Sequence, residues 1–292
     1  MRWLLSILCM AVIAPALAQP SGTSTATEAA TFGDIRKRDW ESQRPKAETE
    51  AEKAVQAVID AVTKRDCAAA VAALNAGLGK QHAEVMMLAA TMSEEGICLK
   101  PNWDRAVTFY QRALNAGQAT AAARLAAGYA SPIGGRDKAT ALWWALRAKT
   151  SLPQDCNGVA PLVDDADRFV AALNAWPAGR LDACAYAAAV MAMIQGELGS
   201  PDVPAAYGVQ GKLKLAFVPA EGKVDVADEG IEAVAPTGLQ SAGTASDRNG
   251  GRKALLAYAK DVSDRALRRY ERPTAVPPTW RAETELVLVS KR

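Results

Sequence analysis

The feature that most limits what this chain can fold into is a recurrence of short helical segments through its middle, each closed by glycine or proline. Ala83 and Ala119 stand 36 residues apart, and each is followed by a helix with small and apolar residues on one side. Self-similarity at such a period marks a repeat architecture. A first helix is predicted from near Ala47, where Glu48, Glu50 and Glu52 suit the positive end of its dipole. Val55, Val58, Ile59 and Val62 then form one apolar stripe. Further helices are predicted at about 66–77, 82–94, 102–116, 119–130 and 137–149. Consecutive short helices with tight links imply antiparallel hairpins, which bury their apolar faces by stacking. The expected fold class is mainly α, a short helical-hairpin solenoid followed by a smaller α+β module.

The central repeat runs through Gly96, Cys98, Leu99, Asn102, Trp103, Arg105, Ala106, Phe109, Tyr110, Ala113 and Gly117, and on into Ala119, Ala121, Leu125, Ala126 and Tyr129. In this it resembles the Sel-one-like repeat, a helix-turn-helix solenoid unit related to the tetratricopeptide repeat. That pattern puts small residues where helices cross and an aromatic pair on the second helix. Arg136, Asp137, Ala139, Trp143 and Trp144 resemble the second helix of another unit, with its loop shortened at Ser131 to Gly135. Asp66 to Gly77 resembles the second helix of a preceding one, so the resemblance covers about 66–150. The pattern departs at Cys98, where a second glycine is usual, and at Asn102, where aspartate is usual. Ala89, Ala90 and Ser93 replace large residues of the first helix. The resemblance implies a binding scaffold whose helical groove holds a protein or peptide segment.

A further helix pair is predicted at about 162–174 and 180–196, with Pro177 and Gly179 making the turn. Beyond Ser200 the period changes. Leu213, Leu215 and Phe217 alternate with Lys212, Lys214 and Ala216, as in a half-buried strand, and Val224 and Val226 alternate again beyond a turn at Glu221 and Gly222. A polar loop at about 237–251, a helix at 252–270 and a last strand through Leu286, Val287, Leu288 and Val289 complete the module. Its element order, with Ala266, Leu267, Arg268, Arg269 and Tyr270 before a proline-rich turn and Trp280, is similar to the C-terminal domain of TonB-like energy-transducing proteins. That similarity implies engagement of a membrane or cell-wall partner.

The N-terminus reads as a secretory signal: Arg2, an apolar run over Leu4 to Leu17, and an A-x-A site at Ala16 to Ala18. The expected organisation is a signal peptide over 1–18, a flexible tether over 19–46, a helical repeat domain over 47–200 and the α+β module over 205–292. No later stretch is apolar enough to span a bilayer, so no transmembrane segment is expected after cleavage, and the compartment is periplasmic or extracellular. The formal net charge of +2 is too small for a nucleic-acid footprint. Loss of Cys9 with the signal leaves Cys67, Cys98, Cys156 and Cys184, an even number for an oxidising compartment. Cys67 begins one helix and Cys98 follows the next antiparallel one, which pairs them at one end of a hairpin. Cys156 and Cys184 pair by elimination.

The chemistry expected is binding rather than catalysis. His82 is the only histidine, so no triad with its own base arises from it, and no nucleophile elbow, phosphate loop or zinc-binding helix motif occurs. No catalytic residue, cofactor or metal ligand is expected, and the chain is read as no enzyme. Asp164, Asp165 and Asp167 stand where they cap a helix. Arg265, Arg268, Arg269 and Arg272 read as the solvated face of another. Trp143 and Trp144 are adjacent, so they cannot both face one core; one packs between hairpins and the other reaches the groove edge. Trp103, Tyr110, Tyr129, Trp143 and Trp144 are the candidates for partner contact, since exposed aromatics make binding hot spots. The reading favoured is a periplasmic scaffold for a protein or peptide. The alternatives are an immunity-type protein neutralising an envelope-targeted toxin, or a TonB-like envelope module.

Overall fold

Among the described residues, five helices begin on a side chain that caps them. Thr49 accepts from the Glu52 amide while Glu52 returns a bond to the Thr49 amide, opening α1 (Glu50–Thr63). Asp66, Asn102, Asp137 and Asp165 each accept from the amide three residues on. These start α2 (Cys67–Gly79), α4 (Trp103–Asn115), α6 (Lys138–Arg147) and α7 (Ala166–Asn174). Between them lie α3 (Ala83–Glu95) and α5 (Thr120–Ala130). His82 stands at the start of α3 but makes no capping bond there. These residues belong to a computed structural model that describes residues 49–132, 134–199, 202–233 and 245–289. The expected signal segment, the tether and Ala47 at the head of the first helix lie outside the described residues.

Three hairpins stack in sequence order, α1 on α2, α3 on α4 and α5 on α6. Cys67–Cys98 and Cys156–Cys184 are both disulfides, with Cα separations of 4.9 and 5.5 Å. A 3₁₀ segment, Gln154–Leu162, and α7 then lead to α8 (Arg180–Leu198). The predicted start of α7 at 162 is thus four residues early, because Pro161 sits inside the 3₁₀ turn and Asp165 caps the α-helix behind it.

α8 is apolar on every side, and all its residues from Ala183 to Ile194 are buried. A helix apolar all round is a core helix. One side meets α5 and α6; another meets the second part of the chain. There α9 (Asp202–Tyr207) leads into β1 (Val209–Val218), flanked by β2 (Lys223–Asp228) and the two-residue β3 (Glu232–Ala233) on one edge and by β4 (Ala282–Leu288) on the other, all antiparallel. Leu213, Leu215 and Phe217 face inward and are fully buried. The Tyr186 ring of α8 meets Phe217 edge to face at 5.7 Å.

α10 (Ala245–Arg269) lies across the junction and presents Leu255, Ala259, Val262 and Ala266 as one buried stripe. It begins well before 252, inside the segment read as loop. Gly250 and Gly251 do not make a turn there: a Cβ at Gly251 would overlap the Tyr207 carbonyl, so glycine serves close approach within a helix. The described residues belong to one compact unit, Ser42–Arg292, and one continuous core runs from α4 and α5 through α8 into the sheet. A smaller core around Val58, Leu74, Val85 and Met92 holds the α1 end. Among the described residues no helix is long and apolar enough to cross a membrane.

Candidate functional site

The stack has two faces, and they differ in chemistry. On one, α3, α5 and α8 meet α10 through a network of charge. Glu94, 3% exposed at the end of α3, accepts from the Tyr110 hydroxyl and from Arg269, each at 2.7 Å. Arg269 also reaches Glu95 at 2.8 Å. Glu197 of α8 takes both nitrogens of the Arg265 fork, at 2.8 and 3.2 Å, and faces Arg124 of α5 at 3.5 Å. The Tyr270 hydroxyl donates to the Ala127 carbonyl at 2.9 Å. Burial works to lower the Arg124 pKa, but Tyr110, Glu94 and Glu197 outweigh it and hold the guanidinium charged. Arg265 and Arg269 are therefore clasps between the two parts of the chain. Their expected role as a solvated face is corrected by carboxylates supplied from α3 and α8, whose positions the local sequence does not carry. Arg272 donates to the Ala220 carbonyl in the β1–β2 turn.

The other face carries a groove of about 510 Å³ between α4, α6 and α7. Its apolar walls are Tyr129, Trp143, Trp144, Phe169 and Val170, and its polar points are Gln111, Asn115 and Thr140. No charged side chain lines it. Trp144 is 7% exposed and Phe169 2%, so they form the floor, whereas Val170 is 47% exposed at the rim. The indoles of Trp143 and Trp144 meet edge to face at 4.7 Å. Trp143 is half-buried, its Nε1 donates to the Val163 carbonyl at 2.8 Å, and Arg147 covers its ring at 4.7 Å. These contacts fix the indole before any partner arrives, which lowers the ordering cost of binding.

Of the aromatic candidates, Tyr129, Trp143 and Trp144 line the groove. Trp103 supports it from behind, meeting the Tyr129 ring at 5.2 Å and 89° and lying over Gly128, where any Cβ would overlap the indole. Burial, with Asp137 and Asp104 nearby, raises the Tyr129 pKa and keeps its hydroxyl a donor. Tyr110 lies elsewhere, fully buried against Glu94. The groove also takes Gln111, Asn115, Thr140, Phe169 and Val170, which sequence reasoning did not single out. Phe169 and Val170 sit four and five residues after the Asp165 cap, and only the return of α7 against α6 brings them in.

Asp165 caps α7, and Asp164 pairs with Arg147 at 3.3 Å. Among the described residues no group of His, Cys, Asp or Glu side chains is placed to hold a metal ion. No family model matches the chain, and neither a curated protein nor a solved structure matches it.

Proposed function

We propose that this chain is a non-enzymatic periplasmic scaffold built on Sel-one-like repeats, and that it holds an extended protein or peptide segment in the groove between α4, α6 and α7. The supporting observation is the pairing of rigid aromatic walls with carboxamide and hydroxyl groups in a site lined by no charge. Indole and phenol rings take apolar side chains, and Gln111, Asn115 and Thr140 offer the donors and acceptors that a peptide backbone needs. The opposite face favours the same assignment, because α10 already covers it and its charges are satisfied within the chain. The two disulfides fit an oxidising compartment.

Display of random peptides against the full chain tests this reading. Peptides that bind should lose about tenfold or more in affinity on Trp143→Ala and on Val170→Lys, with the circular dichroism spectrum unchanged. Failure to enrich any peptide, or enrichment of peptides indifferent to both substitutions, would reject the groove as the binding site.

A further inference from the structure

We propose that the outer edge of β4 is a self-association surface, to which a second copy of this chain adds its own β4 antiparallel to the first. β4 pairs with β1 along one edge, from Ala282 opposite Phe217 to Leu288 opposite Gly211, and among the described residues no strand lies along its other edge. Edge strands in soluble proteins are blunted by charge or proline, since unpaired amides and carbonyls template further pairing. Here that protection stops halfway. Glu283 and Glu285 stand on the outer face and pair with Lys214 and Lys212. Past them come Val287 and Val289, 64% and 65% exposed, on the same face. They are two of the four large apolar side chains that the described residues expose.

The register follows from the residues themselves. Antiparallel pairing about a two-fold axis sets each residue opposite one on the same face. Centring on Thr284 or Glu285 opposes glutamate to glutamate, and centring on Leu286 sets both valines against glutamates. Centring on Val287 still leaves Val289 against Glu285, and centring on Val289 carries Val287 past the last described residue of the second copy. Centring on Leu288 places Val287 against Val289 of the second copy. Both exposed valines of β4 then meet a valine, and no glutamate opposes another. A strand that pairs so with itself selects a second copy over an unrelated strand.

Sedimentation equilibrium of the full chain is the test. The wild type should be a concentration-dependent dimer, and V287K/V289K a monomer with an unchanged thermal melt, both side chains being exposed. Should that variant misfold, Val289→Lys alone, which sets a charge against Val287 of the second copy, should weaken the dimer by about tenfold without touching the core. A V287C/V289C variant should cross-link into a covalent dimer on mild oxidation. A wild type that stays monomeric at about 100 µM, high for an interface as small as one strand edge, overturns the proposal. So does a dimer indifferent to all of these substitutions.

Discussion

Arg269 places Nη2 at 2.7 Å from Oε1 of Glu94, across 175 positions of sequence, and so joins α10 to α3. Glu94 also holds the Tyr110 hydroxyl, and its side chain is almost without solvent. Removal of one member of a buried pair strands the other charge, at a cost of about 3–5 kcal/mol. Glu94→Ala should lower the unfolding free energy by that order, and Glu94→Gln by less, because the amide oxygen still accepts. Glu50, whose partners Lys53 and Lys80 are well exposed, is the control: Glu50→Ala should leave the urea midpoint almost unmoved.

Alkaline pH should separate the buried phenols from exposed ones. Burial pushes the pKa of Tyr110 and of Tyr270 well above the ordinary tyrosine value. The folded state therefore keeps protons that the unfolded state gives up. Their stabilisation is fully present below about pH 10 and is lost as pH rises beyond it, at up to about 1.4 kcal/mol per pH unit for each. Urea unfolding followed from neutral pH to above pH 10 should show the decline. Tyr110→Phe should take away its own share of the slope.

The disulfides should yield to reductant in order. Cys156 and Cys184 are both fully buried, whereas Cys67 is exposed and Cys98 partly so. Thiolate attack needs access, so Cys67–Cys98 should open first. Each bridge closes a loop of similar length, 31 and 28 positions, and each is worth about 3.6 kcal/mol on loop-closure entropy. Loss of the first should loosen α1 and α2, which depend on the smaller core. Hydrogen exchange under mild reductant should show protection falling there while α8 stays protected.

Gly128→Ala should expel the Trp103 indole, because the new methyl group overlaps the ring. The cost should be about 1–3 kcal/mol, as for other overpacked sites. Tyr129 would lose the ring it rests on, so the groove should bind displayed peptides more weakly too. An unchanged Trp103 environment by fluorescence would count against this account.

The helical hairpins were legible from local signals, apolar stripes and glycine or proline breaks, and Cys67–Cys98 from two cysteines at one end of a hairpin; Cys156–Cys184 followed only by elimination, since Cys184 lies inside α8. Several links carried no glycine to mark them. Arg65, Gln81 and Lys149 adopt positive φ beyond α1, α2 and α6, and nothing in their side chains announces it. The strand pair around Glu221 and Gly222 was equally plain from its period of two. The clasp formed by Arg265 and Arg269 was not, since a cluster of arginines looks solvated until distant carboxylates are placed beside it. The same limit hid Phe169 and Val170, which join the groove only through the packing of α7. The aromatic walls on α5 and α6 were visible as residue types, but not their separation from Tyr110, which the folded chain sends to the opposite face.

α8 touches hairpin and sheet at once, with no side turned to water along its middle. Duplication of a hairpin is the usual way such arrays lengthen, and each new unit needs an open apolar flank to lie on. At this terminus the flank is already roofed by β1, β4 and α10, so an inserted unit would have to prise the roof away. A hairpin added after α6 would thus cost the contacts of α8 with the sheet and with α10, so the segment from α5 onward should be constant in size among proteins of this architecture.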